Sequence, residues 1–461
     1  MNPQPLSQIA TWSGAQLQGG DSSAMVHGFS KDTRTIQSGD LYVALKGESF
    51  DGNDFIAQAA VAGAVGALYD GKTPEGLPAS FGLLHVKDAH QALQQLAAAW
   101  RKELSCRVVM ITGSSGKTTT KDFTAAVLQS ARRVTATQGN YNNNIGLPLS
   151  MLRASSADEV AIWEIGMNHR GEIAPLAALG KPDVAIITNI GTAHIGFLGS
   201  REMIAEEKGD LFAALSSSGL AILPASDDFS EVLVKRTSAR VMRVGIECGD
   251  LQACSLVETA SGTHFEIHYE GSSYPAFLSV IGRHMVMNAL LALAAGLACG
   301  VTLEQGIAAL AQVKASKSRL SLSEHCGIRL IDDSYNANPD SMEAALASMA
   351  SLPCGGRRIA VLGRMGEMGS YAEQGYQRVG KAAAPLDLLI TVDSETASMA
   401  QAARDAGVRE VHEVLNNNEA SQLLLSLVKS GDLVLIKGSS IAKMKEVVEA
   451  LTRFMRLKAE D

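Results

Sequence analysis

The chain contains 461 residues and carries a formal net charge of -8 at pH 7, so it exceeds one ordinary core and is not a basic protein. Apolar residues make up 46% and charged residues 19%, which excludes a disordered chain and leads us to expect two or three domains. No block of lysine and arginine is present, which argues against nucleic acid as a partner and favours small anionic ligands.

The cysteines and the apolar runs bear on location. The 6 cysteines show no spacing typical of a zinc site or a redox pair, which indicates reduced thiols and a cytoplasmic protein. Residues 1–12 lack the basic start and the apolar stretch of a secretory signal. The longest apolar run, residues 289–299, is too short to cross a bilayer, so we expect no membrane span.

Residues 1–85 predict a small α/β domain. Apolar residues alternate over 41–45 as in a strand, which places Lys46 and Gly47 at the end of that strand. An acceptor, a hydroxyl and a guanidinium follow one another at an earlier loop, a combination that suits a uracil edge and a diphosphate. These residues are Asp32, Thr33 and Arg34. On residue types alone, a surface turn closed by a salt bridge is the stronger alternative.

The segment 89–104 predicts a helix that leads into the next domain. Asp88 is a suitable N-cap, and apolar residues recur on one stripe. The stripe consists of Leu93, Leu96, Ala97, Trp100 and Leu104.

The segment 107–121 predicts a phosphate-binding loop between a buried strand and a helix. Its two glycines, Gly113 and Gly116, allow backbone N–H groups to turn toward an anion, and the following helix directs its positive end at the same anion. Lys117 would lie along the β- and γ-phosphates of ATP, and the Thr118 hydroxyl would complete the shell of Mg²⁺. The nucleotide-binding residues predicted here are Gly113, Ser114, Ser115, Gly116, Lys117, Thr118 and Thr119.

This loop is shorter than the general P-loop pattern, which has four residues between its glycines. Only Ser114 and Ser115 separate the glycines here, so the loop is a compact variant. The alternative is a tight strand-to-helix turn with a surface lysine. The apolar strand, the glycines and the Lys-Thr pair in register favour the phosphate site.

The region 86–314 predicts a mostly parallel sheet, because strand and helix patterns alternate along it. Its strands are 107–112, 133–137, 160–165, 184–188 and 221–223. In an open sheet of this kind, chemistry gathers at the carboxyl ends of the strands.

Three of these strand ends carry polar residues. Asn140, Asn142 and Asn143 follow the second strand and suit the γ-phosphate or an acyl acceptor, with a turn-rich connection as the alternative. Glu164 ends the third strand inside an apolar run and needs a partner, for which Mg²⁺ shared with Thr118 is suitable. His194 follows the fourth strand, and both a structural role and a ligand role remain open.

The polar strands 252–258, 263–269 and 276–281 predict a small antiparallel sheet that closes the central domain. On the helix that follows, His284 and Asn288 are four residues apart and face the same side. That pair suits a purine, and a capped core helix is the alternative.

The region 315–461 predicts a second open α/β domain of Rossmann-like type. Its strands are 328–331, 358–362, 388–392 and 433–436. Polar loops follow three of them, at 332–340, 363–369 and 437–440, where an open sheet binds ligands. Arg319 lies just after the domain boundary, from which it can reach back to the nucleotide.

Together these motifs resemble the Mur ligase family over essentially the whole chain. The compact loop 112–118 is typical of Mur ligases and of the related folylpolyglutamate synthases. Segments 32–34, 141–146 and 332–342 resemble motifs of the Mur ligase that acts on a UDP-muramoyl tripeptide. The resemblance implies three domains.

By resemblance, residues 1–85 bind the UDP-sugar, residues 86–314 form the ATP-binding domain, and residues 315–461 close over the site. The implied reaction is amide synthesis through an acyl phosphate in peptidoglycan precursor synthesis. Its substrates are ATP, UDP-N-acetylmuramoyl-tripeptide and D-Ala-D-Ala. A monomer that uses two Mg²⁺ ions is expected.

The resemblance also assigns residues to roles. The implied catalytic residues are Lys117, His194 and Lys208, and the implied metal ligands are Thr118, Glu164, His194 and Lys208, the last as a carbamate. Besides the phosphate loop, the residues implied to contact the nucleotide are His284, Asn288, Arg319, Asp333 and Asn336. Substrate contacts fall to Ser30, Asp32, Thr33, Arg34, Lys46, Gly47, Asn140, Asn142 and Asn143.

Several alternatives remain open. Another Mur ligase, or an enzyme like folylpolyglutamate synthase, would share the loop and the reaction type, although the N-terminal loop favours a UDP-linked substrate. A switch or transport ATPase fits poorly, because the chain has a second α/β domain and no Leu-Ser-Gly-Gly signature. For Lys208, the residues alone favour a solvated lysine paired with Glu206 or Glu207 on a helix surface.

Overall fold

The computed structural model describes residues 1–259, 261–314 and 318–460, and the chain folds around sheets of five, nine and six strands. The predicted α/β class is confirmed. The predicted domain boundaries at 85/86 and 314/315 stay predictions, and residue 315 and the last residue, 461, lie outside the described residues.

The N-terminal region contains one five-stranded sheet and a two-stranded pairing of β1 with β3. Its elements are β1 (Gln4–Pro5), α1 (Leu6–Ser13), β2 (Gln16–Gln18), β3 (Met25–Val26), β4 (Gly28–Ser30), β5 (Asp40–Val43), α2 (Ile56–Val61), β6 (Gly66–Tyr69), β7 (Gly82–His85) and α3 (Ala89–Glu103). The strand order is β2-β7-β6-β5-β4, and only β2 runs antiparallel to its neighbour. Residues 41–45 are all buried, so apolar layers cover both faces of β5.

Helix α3 forms as predicted. The Asp88 side chain accepts a hydrogen bond from the N–H of Gln91 at 3.0 Å, which caps the helix. The predicted apolar stripe is buried and joins Val108, Met110 and Trp163 of the next sheet in one core. The helix is thereby fixed to the central sheet, and one of its faces lies beside the central strand ends.

The central region contains a nine-stranded sheet of order β16-β15-β14-β13-β12-β11-β8-β10-β9. Its elements are β8 (Arg107–Thr112), α4 (Lys117–Gln129), β9 (Val134–Ala136), α5 (Gly146–Met151), β10 (Val160–Glu164), α6 (Ile173–Gly180), β11 (Val184–Ile187), α7 (Ile195–Leu198), α8 (Arg201–Ala213), β12 (Leu220–Pro224), α9 (Ser230–Val234), β13 (Arg240–Ile246), β14 (Leu251–Thr259), β15 (Gly262–Tyr269), β16 (Ser272–Leu278), α10 (Arg283–Ala298) and α11 (Leu303–Leu310). The five predicted strands are parallel, as expected.

One feature of the central sheet corrects the sequence prediction. The three polar strands are antiparallel to one another, but they extend the parallel sheet and do not form a separate one. The joint is β13, Arg240–Ile246, which pairs with β12 on one side and β14 on the other. The strand was missed because Arg240 and Arg243 interrupt its apolar sequence.

The C-terminal region contains a six-stranded sheet of order β17-β18-β22-β19-β20-β21, in which only β17 is antiparallel. Its elements are β17 (Ser321–His325), β18 (Ile328–Asp333), α12 (Pro339–Ser351), β19 (Arg358–Gly363), α13 (Ala372–Ala382), β20 (Leu388–Val392), α14 (Ala397–Asp405), β21 (Glu410–Val414), α15 (Asn417–Leu427), β22 (Leu433–Lys437) and α16 (Lys445–Glu460). The four predicted strands form its centre.

Two further properties of the described residues concern location. No helix in those ranges has both the length and the apolar character that crossing a bilayer requires. All six cysteines, which lie in the described ranges, have free thiols.

Candidate active site

The segment between β8 and α4 forms the tight loop that the sequence predicts. Gly113 and Gly116 have φ angles of 153° and 78°, a region that side chains disfavour. A Cβ on Gly113 would lie 1.8 Å from the Thr188 hydroxyl oxygen, and a Cβ on Gly116 would lie 2.6 Å from Asn288 Oδ1. Both positions therefore require glycine, for conformation and for space.

The end of β11 holds this loop in place. The backbone carbonyl of Asn189 accepts from the N–H of Ser114 at 3.1 Å, and the Asn189 side-chain oxygen accepts from the N–H of Ser115 at 2.9 Å. The Thr188 hydroxyl donates to the Ser115 carbonyl at 2.5 Å, and the N–H of Gly191 donates to the Ser114 hydroxyl at 2.9 Å. No role for Thr188 or Asn189 could be predicted from the sequence, because only the adjacency of two strands brings them to the loop.

Lys117 folds back over the loop. Its Nζ donates to the Gly113 carbonyl at 2.7 Å. Burial lowers the pKa of Lys117, whereas the carboxylate of Glu164 acts in the opposite direction. The N–H groups of the first turn of α4 have no acceptor within the helix. A cationic side chain and several backbone donors therefore converge where a phosphate would bind.

A cleft of about 1470 Å³ opens in front of the loop. Helix α3, the ends of the central strands and the segment after β18 contribute to its walls. Most of the predicted site residues line it, namely Ser114, Ser115, Gly116, Lys117, Thr118, Thr119, Asn140, Asn142, Asn143, Glu164, His194, His284, Asn288, Arg319, Asp333 and Asn336. The fold thus brings residues from three regions of the chain to one cleft.

The predicted UDP residues do not line this cleft. They form the surface turn that residue types alone favour, in which Arg34 pairs with Asp32 at 2.6 Å and leaves its side chain 84% exposed. Hydrogen bonds from Arg34 lower the pKa of Asp32 to about 2. The Ser30 hydroxyl closes the same turn by donating to the carbonyl of Asp32 at 2.9 Å. Thr33 lies between these residues.

Two contacts connect the N-terminal region to the cleft wall. Lys31 Nζ lies 5.4 Å from the ring centroid of Tyr141, which lies in the loop that carries Asn140, Asn142 and Asn143. A ring nitrogen of His90 lies 3.1 Å from the backbone carbonyl of Lys46. Gly47 continues that segment, and its N–H donates to the Phe50 carbonyl at 2.9 Å. The roles of these N-terminal residues toward a substrate stay predictions.

Glu164 has the features of a cation ligand. It is 1% exposed, and its Oε1 accepts from Asn142 Nδ2 at 2.8 Å. Its Oε2 is buried and has no hydrogen-bond partner within the described part of the chain. The hydroxyl of Thr118 accepts from Arg319 at 3.2 Å and keeps a second lone pair. One free carboxylate oxygen and one hydroxyl fit Mg²⁺, which usually keeps waters and substrate phosphates as its other ligands.

His194 is engaged with the C-terminal domain. Its Nδ1 lies 2.5 Å from Glu367 Oε2, and this contact lowers the pKa of Glu367. Within the described ranges, His, Cys, Asp and Glu side chains form no group of three or more that could hold a metal ion. The sequence flagged the loop that carries Glu367 but not this residue. The role of His194 as a metal ligand stays a prediction.

Lys208 lies in the interior, on α8, and is not among the described residues that line the cleft. Its side chain is fully buried, and Nζ has no hydrogen-bond partner among the described residues. Burial holds the pKa of Lys208 well below its usual range, and the charge of Lys117 lowers it further. The solvated lysine that residue types favoured is therefore wrong. Of its proposed partners, Glu206 instead pairs with Arg170 at 3.0 Å.

The other proposed partner, Glu207, is fully occupied elsewhere. Its carboxylate accepts from the N–H groups of Gly171, Glu172 and Ile173 at 2.7, 2.8 and 2.8 Å. These groups open α6, so Glu207 ties the start of that helix to α8. Within the ranges that the structure describes, Lys208 therefore has no hydrogen-bonded counter-ion.

Two of the predicted nucleotide residues, Asn288 and Arg319, lie beside the phosphate loop and the start of α4. Asn288 Oδ1 accepts from the Thr120 hydroxyl at 3.2 Å, because α10 packs against α4. The Arg319 guanidinium lies 4.0 Å from the centroid of the Tyr335 ring.

A buried ion pair fixes the segment after β18. Lys437 Nζ lies 2.6 Å from Asp333 Oδ2 and donates to the Asn336 carbonyl at 2.8 Å. Burial raises the pKa of Asp333, and Lys437 opposes that rise. The sequence named the loop that begins at Lys437 but gave this lysine no role.

Burial and the charge of Lys437 lower the pKa of His284 to about 4. The ordinary value is 6.5, so the unfolded chain takes up the proton first as the pH falls. We expect the nucleotide-free protein to lose stability as the pH falls from about 6.5 to about 4, and His284→Gln to lose less. Melting temperatures measured across this range test the difference. His325→Gln, at an exposed strand end, is the control, and equal slopes for His284→Gln and wild type would contradict the assignment.

Comparisons with known proteins cover the same three regions. Family models match over residues 25–101 (Mur ligase family, catalytic domain), 111–296 (Mur ligase middle domain) and 318–440 (Mur ligase, glutamate ligase domain). The UDP-N-acetylmuramoyl-tripeptide--D-alanyl-D-alanine ligase of Bacillus subtilis is 37% identical over 432 residues, 93% of each chain. The chain belongs to the Mur ligase family.

Solved structures resemble this Mur ligase over nearly its whole length. MurF from Acinetobacter baumannii superposes with a TM-score of 0.89 at 31% identity and covers 99% of each chain. A MurF ligase from Thermotoga maritima, solved in complex with ADP, has a TM-score of 0.83 at 28% identity and covers 94% of this chain and 98% of its own. The resemblance that the sequence motifs suggested is confirmed.

Proposed function

We propose that this Mur ligase joins D-alanyl-D-alanine to UDP-N-acetylmuramoyl-tripeptide in an ATP-dependent step of peptidoglycan precursor synthesis. One observation carries the proposal: the phosphate loop of the central domain and the 332–340 segment of the C-terminal domain line a single cleft. The relatives reported above supply the substrate names. The free cysteines agree with work in the reducing cytoplasm.

The first chemical step activates a carboxylate, which is otherwise a poor electrophile. The terminal carboxylate of the tripeptide attacks the γ-phosphorus of ATP, the bond to the β-phosphate oxygen breaks, and ADP leaves an acyl phosphate behind. Lys117 and the N–H groups that begin α4 stabilise the charge that spreads over the transferred phosphoryl oxygens. The short loop keeps these donors fixed in position.

The second step forms the amide. The neutral amine of D-Ala-D-Ala adds to the acyl carbon, the bond to phosphate breaks, and the amine loses a proton. Water would hydrolyse the acyl phosphate, so the C-terminal domain must cover the cleft during this interval. Glu367 of the C-terminal domain contacts His194 of the central domain.

Mg²⁺ would be held by Thr118 and Glu164, with His194 as a further ligand, and when bound it neutralises phosphate charge. Lys208 would join this set as a carbamate, formed when its neutral amine adds to carbon dioxide and releases a proton. Its buried Nζ, which has no hydrogen-bond partner among the described residues, and the influence of the Lys117 charge on its pKa support this assignment. A carbamate carries a negative charge and two oxygens, which replaces repulsion between cations with attraction.

For the UDP-linked substrate, the turn of Ser30, Asp32, Thr33 and Arg34 would bind the nucleotide, with Lys46 and Gly47 nearby. Asn140, Asn142 and Asn143 would contact the end that reacts, because they line the cleft beside Glu164. We propose that the enzyme works as a monomer.

A substrate panel tests the proposed function. Phosphate release from ATP is expected to require UDP-N-acetylmuramoyl-tripeptide, and amide formation is expected to require D-Ala-D-Ala in addition. Single free amino acids and UDP-muramoyl peptides of other lengths serve as controls for the other Mur ligases. If glutamate and a folate support turnover while the UDP-peptide does not, the chain is instead an enzyme like folylpolyglutamate synthase.

A further inference from the structure

We propose that Asp340 is a positioning residue that couples closure of the C-terminal domain to the loop after β11, and that it thereby protects the acyl phosphate from water. The inference rests on the proposed function. It concerns a residue that belongs to neither the phosphate loop nor the predicted ligand sets.

Asp340 bridges two domains through both of its carboxylate oxygens. It lies in the first turn of α12, and its Oδ2 accepts from the N–H and the hydroxyl of Thr192 at 2.6 and 2.7 Å. Thr192 belongs to the central domain and is 1% exposed. The other oxygen, Oδ1, accepts from Arg378 of the C-terminal domain at 3.0 Å. The carboxylate thus has donors from both sides of the domain boundary.

Arg378 holds Asp340 in a fixed position. Its Nε and one terminal nitrogen donate to Glu343 at 3.0 and 2.6 Å, and its other terminal nitrogen donates to the Tyr371 hydroxyl at 2.9 Å. A guanidinium with several fixed acceptors has little freedom to rotate. The C-terminal half of the bridge is therefore rigid before the domains meet.

The central-domain loop is shaped to receive this contact. A Cβ on Gly191 would lie 2.4 Å from Asp340 Oδ2, so glycine is needed for the carboxylate to approach. Farther along the loop, the N–H of Gly196 donates to the Glu367 carbonyl at 2.9 Å, and a Cβ there would lie 2.6 Å from that oxygen. The loop between these glycines carries His194, which contacts the same C-terminal residue.

The Asp340 bridge lies close to both His194 and the phosphate loop. Thr192 is two residues from His194, and Gly191 also donates to the Ser114 hydroxyl of the phosphate loop. When Asp340 binds Thr192, the loop, the phosphate cradle and the C-terminal cover become one continuous hydrogen-bonded unit. Loss of the bridge should leave nucleotide binding to the central domain in place but let the cover open while the acyl phosphate exists.

Asp340→Asn is the principal test. An asparagine amide has only one acceptor oxygen, so its NH2 group would face either the donors of Thr192 or the donor of Arg378. We expect kcat for amide formation to fall about tenfold, with KM for ATP changed less than about twofold. We also expect phosphate release to exceed amide formation by at least about twofold, because water intercepts the acyl phosphate. One phosphate per amide in the variant, as in wild type, would overturn the inference.

The second pair of variants acts on the central side of the bridge. Thr192→Val removes the hydroxyl donor and should raise the ratio of phosphate to amide, whereas Thr192→Ser should restore it. This pair decides the matter if Asp340→Asn fails to fold. Glu413→Gln is the matched control, because it removes a carboxylate from an ion pair with Arg404 within the C-terminal domain, at 2.6 Å. The control should keep the wild-type ratio.

A structural readout separates this inference from the proposed function. Small-angle X-ray scattering with ADP and Mg²⁺ should show a compact wild type and a larger radius of gyration for Asp340→Asn. Equal radii of gyration for wild type and Asp340→Asn would overturn the proposed bridge, whatever the substrate panel shows. A wild type that forms no amide from the named substrates, together with a measured difference in radius, would overturn the proposed function and leave the bridge supported.

Discussion

Replacing Lys117 with alanine is expected to lower kcat about 1,000-fold while leaving the fold intact. Lys117 Nζ is the one side-chain cation of the phosphate loop, and it is held 2.7 Å from the Gly113 carbonyl. During transfer, negative charge moves onto the phosphoryl oxygens and the departing ADP, so a fixed cation there stabilises the transition state more than the ground state. The loss should therefore appear mainly in kcat.

The fold should survive this change, because Lys117 is half-buried and lies in no apolar core. Circular dichroism and the melting temperature establish that the variant is folded, and coupled phosphate release gives kcat. Lys102→Ala, at an exposed lysine of α3, is the control for the loss of a positive charge. If folded Lys117→Ala kept nearly wild-type ligase activity, the assignment of this loop as a phosphate-binding site would be wrong.

Lys208→Ala is expected to lower kcat about 100-fold, with partial recovery when formate or acetate is added. The carbamate on Lys208 would place two oxygens in a site where an unmodified ammonium would repel Lys117 and any bound cation. A small carboxylate can enter the space that the shorter side chain leaves and supply similar oxygens. Recovery by a carboxylate is not expected of a lysine with a purely structural role.

Three controls accompany this experiment. Lys208→Met keeps most of the buried volume and separates loss of the amine from loss of packing. Wild-type enzyme depleted of bicarbonate should lose activity and regain it when bicarbonate is restored. A mass increase on Lys208 in the intact protein gives a reading independent of turnover. Near-normal activity of Lys208→Ala in plain buffer would rule out the carbamate.

The strands that could be predicted from the sequence are those buried on both faces. Continuous apolar runs such as Arg107–Thr112 and Leu388–Val392 are typical of parallel strands, and their order along the chain predicted the α/β class. In the central and C-terminal regions, three strands were missed: Arg240–Ile246, Ser321–His325 and Glu410–Val414. The last two lie at sheet edges, where one side faces solvent and polar residues are tolerated.

The residues of the candidate site also divide into those that could be predicted from the sequence and those that could not. Residues on strand ends and in the glycine loop could be placed, because the carboxyl ends of parallel strands meet at one edge. Arg319 was also predicted to reach back to the nucleotide, and it contacts Thr118, but several other residues that act across domains could not be placed. Asp340, Glu367 and Lys437 each lie in loops that the sequence flagged, but their partners are distant in the chain. Local sequence also failed for Lys208, because two neighbouring glutamates suggest a solvated face.

The hydrogen bonds from the phosphate loop to Asn189 affect how the free energy of nucleotide binding is used. Two backbone donors of the short loop pair with Asn189 within the protein itself, so the order of the loop does not depend on phosphate. Ordering a loop on binding opposes affinity through lost conformational entropy. In this protein the conformational entropy of the loop is lost when the chain folds. More of the free energy of triphosphate binding is therefore available to bring the C-terminal domain into place. A rigid cradle thereby makes nucleotide binding a source of free energy for domain movement.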